Sequence, residues 1–301
     1  MGKRIKNWFI YCSVRLLLGL LRRLRPQRAR RCGRWLGRRA YRWARVERER
    51  CRRHLGWAFA ELDPTERERL ARRVFEHLGA GVAELAVVHQ ERPITEWVEV
   101  DGESRRVLEE VLARGRGVVF VTGHLGNWEL MARGLAAFGY PINTIGQRSY
   151  DPRFTRLIAR FRQQGRVHTL WRGEPELMDK MAAVLRRGEI MGLLIDQDTD
   201  VPGVFVDFFG RPAWTPIAPV LLARKAGAPL VVGANHRLAG DAGFRVRIEE
   251  IALADLPDRQ RALAADTQAI SHWIEARIRE HPEQWVWLHR RWKTRPPKDG
   301  P

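Results

Sequence analysis

The stretch from Val118 to Leu135, VVFVTGHLGNWELMARGL, sets a histidine just past a run of strand-forming apolar residues and a glutamate five positions further on. A histidine at a strand end can take a proton from a hydroxyl near neutral pH when a second group fixes its tautomer and steadies the imidazolium. Glu129, in the first turn of a helix expected to start near Gly126 or Asn127, is placed to fold back toward His124 and do so. Gly123 and Gly126 leave the backbone free for the tight turn. The same spacing also has a plain structural reading, a strand-end histidine with a carboxylate set favourably at a helix N-terminus. No serine or cysteine nucleophile stands beside His124, so the hydroxyl it would activate belongs to a substrate, and transfer would be direct. The chain has no H-E-x-x-H, no P-loop and no G-x-S-x-G elbow, and its GRG at Gly115 to Gly117 precedes a strand where a dinucleotide fingerprint must follow one. No metal site is expected.

The elements that must position these groups read as an α/β domain. From Val98 short β-rich runs alternate with helices: GVVFVT as a buried strand, NWELMARGLAAFG as a helix ending at Gly139, PINTIG as a strand and DPRFTRLIARFRQQG as a helix capped by Asp151. The helix PELMDKMAAVLRRG, the strand EIMGLLI leading into Asp196, a loop, the helix APVLLARKAG, the strands PLVVGA and FRVRIEEI and a helix from about 258 to 279 follow. Such alternation predicts a largely parallel sheet with helices on both faces, and ligands of such sheets gather at the carboxyl ends of the strands. His124, the Arg148 region and Asp196 all fall there. Upstream, residues 26–89 read as helical, with a start signal at Asp63, Pro64 and Thr65.

Charge is unevenly distributed. Of the formal +19, residues 1–54 contribute +17, from 19 Lys and Arg against Glu47 and Glu49, and the remaining 247 residues only +2. A polyanionic partner is therefore met by one end of the molecule. The run NWFIYCSVRLLLGLLRRLRP, apolar from Trp8 to Leu24 apart from Arg15, Arg22 and Arg23, favours an anionic membrane surface over nucleic acid. It is short for a spanning helix and contains arginine, which favours a helix lying in the cytoplasmic leaflet, with a short span as the second choice. Cys12, Cys32 and Cys51 fit no zinc spacing, and their odd number suits reduced thiols.

Five ordered blocks resemble those of the lipid A late acyltransferases, the lauroyl and myristoyl transferases within the wider lysophospholipid acyltransferase group marked by H-x4-D/E. They are GHLGNWEL, GQRSYDPRF, the stretch LRRGEIMGLLIDQDTDVPGVFVDFFGRPAWTP, HPEQWVWLHRRWKTRP and the earlier RRHLGWAFAELDPTERERL. Asp207 departs from the proline usual in the FVPFFG run, and the N-terminal apolar helix is shorter and richer in arginine than typical. The resemblance implies a glycerolipid acyltransferase-like α/β fold with an N-terminal membrane-associated helix over residues 1–25 and an acyltransferase domain over 26–301, divided into a helical region 26–97 and an α/β core 98–301. It implies acyl transfer from an acyl carrier protein thioester, a co-substrate and not a cofactor, to a hydroxyl of a lipid A precursor, with His124 as base and Glu129 as its partner. Substrate contacts are expected from Arg148, toward a phosphate or the thioester oxyanion, from Asp196 and Gln197 on the same rim, and from Arg290 and Arg291 toward phosphates. Phe205, Phe208 and Phe209 offer surface for an acyl chain or else plain core. Trp285, Trp287 and Trp292, interleaved with His289, Arg290, Arg291 and Lys293, suit a headgroup layer or a final strand on the sheet. The expected location is the cytoplasmic face of the inner membrane. The expected partners are acyl carrier protein, anionic lipids and a glycolipid acceptor, with no nucleic acid. A different glycolipid or aminolipid acceptor, and acyl-CoA as donor, are the alternatives.

Overall fold

The computed structural model describes residues 2–88 and 93–297. Four helices come first: α1 (Gly2–Leu21), α2 (Pro26–Trp43), α3 (Arg45–Ala58) and α4 (Pro64–Val87). The Asp63 start signal is a capping box: its carboxylate accepts from Thr65 N and Glu66 N, while Glu66 accepts from Asp63 N. The helical run expected to residue 89 ends at Val87, and residue 89 itself lies outside the described residues. Helices α2 and α4 touch backbone to backbone. A Cβ on Gly33 would lie 2.3 Å from Gly79 O, and one on Gly37 would lie 2.1 Å from Phe75 O, so only glycine permits the contact. Among the described residues no helix is long and apolar enough to cross a membrane.

The rest of the chain is the expected α/β alternation. It runs β1 (Val98–Val100), α5 (Gly102–Ala113), β2 (Val118–Thr122), α6 (Trp128–Ala137), β3 (Ile142–Gly146), α7 (Pro152–Gln164), β4 (His168–Trp171), α8 (Leu177–Arg186) and β5 (Ile190–Leu194). Then follow β6 (Gly203–Asp207), β7 (Pro212–Pro216), α9 (Ala218–Ala226), β8 (Leu230–Arg237), β9 (Phe244–Glu250) and α10 (Arg259–Glu280). The main sheet has the order β1-β9-β8-β2-β5-β3-β4. Strands β8, β2, β5, β3 and β4 run parallel, and β9 turns back antiparallel to β8 and carries β1 parallel to itself.

Alternate residues of β2 serve the two faces, as the pleat requires. Val119 and Val121 join a core with α8, α9 and α10, whereas Val118 and Phe120 join a second core with α5 and α6. Three features go beyond the sequence reading: the short edge strands β1 and β4, and the β6–β7 hairpin inside what reads as a loop after Asp196. The tail is also different. Residues 285–295 form turns, and the pairing of Trp285 with Leu125 is an isolated bridge, so among the described residues no final strand joins the sheet.

Candidate active site

Strands β2 and β5 are neighbours, with Thr122 opposite Leu194. Two residues beyond each of them stand His124 and Asp196, so the register itself brings imidazole and carboxylate together. His124 Nδ1 lies 2.7 Å from Asp196 Oδ1, and His124 N donates to Asp196 Oδ2 at 2.6 Å. The indole of Trp285 donates to the same Oδ2 at 2.7 Å. Burial alone would push the Asp196 carboxyl up. The charge of His124, its ring and backbone N–H bonds and the Trp285 N–H outweigh that and hold it down at about 2. Asp196 is thus ionised at neutral pH and accepts from His124 Nδ1–H, which leaves Nε2 as the ring atom that can exchange a proton. Among the described residues nothing hydrogen-bonds Nε2, and the His124 side chain is 20% exposed against 1% for Asp196. Gly123 makes room: a Cβ there would sit 2.9 Å from Asp196 Oδ2.

The carboxylate that bonds the His124 ring is thus Asp196 and not the expected Glu129. Glu129 does lie in the first turn of α6, but its carboxylate turns to Arg162 on α7, with Nε to Oε2 at 2.9 Å and Nη2 to Oε1 at 2.6 Å. This bidentate pair lines an apolar cleft shared with Trp128, Phe120, Met131 and Leu194. The Trp128 ring stands 4.7 Å from the His124 ring at 72°, so cleft and imidazole adjoin. Arg162 sits in an ordinary amphipathic helix, and no spacing in the sequence points to it.

The loop carrying His124 is clamped from three sides. Gly126 takes φ +63, and a Cβ there would meet Asn235 O at 2.1 Å. Asn127 caps α6 and exchanges two 3.1 Å hydrogen bonds with Asn235, while its side-chain amide donates to Glu84 at 3.2 Å. Glu84 is itself held by Arg237. Gly126 N donates to Gln284 O at 3.0 Å, and Gly126 O lies 2.9 Å from His77 Nε2. Burial and the nearby charge of Arg237 push His77 down to about 3, so it is neutral and donates through Nε2. His289 is likewise pushed down to about 4 by burial, the charges around it partly cancelling.

The other expected residues divide. Gln197 is half-buried beside Asp196 on the rim. Arg148, two residues past β3, is exposed, pairs with Glu174 at 3.2 Å and lies over Trp171. Arg290 is exposed. Arg291 differs from the expectation. It is 1% exposed and donates to Trp214 O at 2.5 Å and Thr215 Oγ1 at 2.6 Å, so its guanidinium braces the β6–β7 hairpin. Burial lowers it to about 10. Trp285, Trp287 and Trp292 are buried too, packed around Phe208 and Phe209 with ring centroids 5.6 to 6.0 Å apart, which places this aromatic set in the core and not in a headgroup layer. Phe205 meets Trp214 edge-on at 5.0 Å. Asp198, which drew no attention in the sequence, accepts from Thr294 N and Oγ1 and ties the tail to the end of β5.

Known proteins give the class first. The chain is similar over 278 residues, at 31% identity and covering 88% of this chain and 84% of the relative, to the lipid A biosynthesis lauroyltransferase of Escherichia coli K12. It is 28% identical to the lipid A biosynthesis palmitoleoyltransferase of the same organism, over 81% of this chain and 78% of the other. It is also 28% identical to the phosphatidylinositol mannoside acyltransferase of Mycobacterium tuberculosis H37Rv, over 62% and 57%. All three are acyltransferases, and so is this protein. Residues 3–294 match the family described as bacterial lipid A biosynthesis acyltransferase, and the chain belongs to that family.

Proposed function

We propose that the protein transfers a fatty acyl chain from an acyl carrier protein thioester to a hydroxyl of a lipid A precursor, with His124 as general base and Asp196 as the carboxylate that orients it. The observation carrying this reading is the His124–Asp196–Trp285 chain of hydrogen bonds, which fixes the imidazole through Nδ1 and leaves Nε2 without a partner among the described residues. Nε2 takes the proton of the acceptor hydroxyl as its oxygen bonds to the thioester carbonyl carbon. The C–S bond then breaks, and the imidazolium returns the proton to the departing thiolate. The negative charge of Asp196 steadies that imidazolium, and its hydrogen bond fixes the ring. Glu129 contributes through Arg162 in the wall of the apolar cleft, which suits the acyl chain beside the reacting carbon. Gln197, Arg148 and Arg290 stand as contacts for the polar part of the substrates.

The protein would work at the cytoplasmic face of the inner membrane. In α1, Leu17, Leu18 and Leu21 pack on the body while Phe9 and Leu16 remain 59% and 65% exposed, the arrangement of a helix lying in an interface. The similarity to a phosphatidylinositol mannoside acyltransferase supports a second reading, the same chemistry on another glycolipid acceptor, with acyl-CoA as an alternative donor. Purified protein supplied with acyl carrier thioesters and a tetra-acylated lipid A precursor tests the first reading. Acyl transfer that is lost in a folded His124→Ala variant is expected. Full activity in that variant would remove His124 from the mechanism, and transfer only to a mannosylated phosphoinositide would favour the second reading.

A further inference from the structure

Helix α2 contains no acidic residue and sorts its arginines by side. Arg30 and Arg34 pair with Asp241, and Arg38 pairs with Glu76. At 3.6 residues per turn, Arg28, Arg31, Trp35, Arg39 and Arg42 fall within about 80° of arc on the outer side. Arg28, Arg31 and Arg42 are exposed and make no hydrogen bond or ion pair among the described residues, and Arg39 lies over the Trp35 ring at 5.1 Å. Trp35 itself is 48% exposed. The opposite side is locked by the glycine contacts with α4, so the stripe cannot rotate inward to find carboxylates.

We propose that this outer face of α2 is a second, electrostatic attachment surface for an anionic lipid bilayer, distinct from the apolar face of α1. Four unpaired cations flanking an indole match a headgroup layer, where guanidinium groups meet phosphates and indoles rest at the boundary. In the chain, exposed Trp43 and Val46 follow the stripe and the exposed apolar side chains of α1 precede it, and nucleic acid or a soluble acidic protein would leave these in water. A single apolar contact gives only marginal binding, and stable attachment takes two signals. Here α1 supplies one and α2 the other. The proposal shares the membrane attachment read above from α1 but does not depend on the acyl-transfer mechanism.

Flotation of the full chain with vesicles of phosphatidylcholine, with and without phosphatidylglycerol, tests it. The Arg28/Arg31/Arg39/Arg42→Gln variant should lose affinity for the anionic vesicles by about fivefold per arginine, on the order of several hundredfold for all four. Its weak binding to phosphatidylcholine should stay unchanged, and high salt should bring the parent down to the variant's level. Trp35→Ala should weaken binding to both vesicle types. A quadruple variant that floats like the parent overturns the proposal, as does one that keeps vesicle binding while losing purified acyl carrier protein or a DNA duplex. A parent chain that binds both vesicle types equally sinks the α2 surface alone, whereas one that binds neither also removes the role given to α1.

Discussion

At the scale of single residues, the arrangement around His124 separates two carboxylates, Glu129, which the sequence reading paired with the imidazole, and Asp196, which it gave to the substrate. Asp196 touches the imidazole and Glu129 does not, so substitutions at the two should behave differently. Asp196→Asn keeps a side chain of the same shape but removes the charge that steadies the imidazolium, and kcat should fall about 10²–10⁴-fold with little change in KM. Steady-state kinetics on a folded variant check this, and an unchanged kcat would take Asp196 out of the mechanism. Glu129 and Arg162 should behave as one unit. Glu129→Gln and Arg162→Gln should each lower activity, and the double variant should be no worse than the more severe single one. Losses that multiply would show that Glu129 works apart from Arg162. The sequence reading took Glu129, five positions from His124, because Asp196 lies 72 residues away and only the pairing of neighbouring strands makes it adjacent.

At the scale of elements, hydrophobic period and caps were enough to read β2, β3, β5, the helices between them and the Asp63 start of α4. What stayed hidden was set by packing. The alternation of tryptophan with arginine after Gln284 is the same pattern for an interfacial segment and for one folded into the core, and burial of Trp285, Trp287 and Arg291 settles it as core. The four-residue β4 and the β6–β7 hairpin are too short to leave a period. Two glycines carry element-level predictions. Gly126→Ala must adopt φ +63 and push against Asn235 O, and Gly37→Ala must force α2 off α4. Each should destabilise the fold by roughly 1–3 kcal/mol, read from urea midpoints. Gly126→Ala should also lower activity in the fraction that remains folded, because it displaces the loop that carries His124. A Gly37→Ala protein as stable as the parent would mean that the helix pair is looser than its backbone contacts indicate.

For the whole molecule, the buried histidines set the response to acid. Burial first, and neighbouring charges after it, push His54 and His236 to about 4, and His77 lies near 3. In the unfolded chain these rings titrate near about 6.5. Their folded values are lower, so the unfolded state binds more protons between the two, and stability falls as pH drops from about 6.5 toward about 4. The carboxylates add their part only at lower pH. Urea midpoints should therefore decline across that window, less steeply in His77→Gln, and a flat profile would contradict the burial of these rings. The segment from Gln284 to Thr294 has one more consequence. It supplies the Gly126 acceptor, the Asp196 indole donor and the Asp198 tether, yet it is translated long after the strands it locks. A chain still emerging from the ribosome lacks these clamps, so the loop that carries His124 is braced only after this late segment has been made.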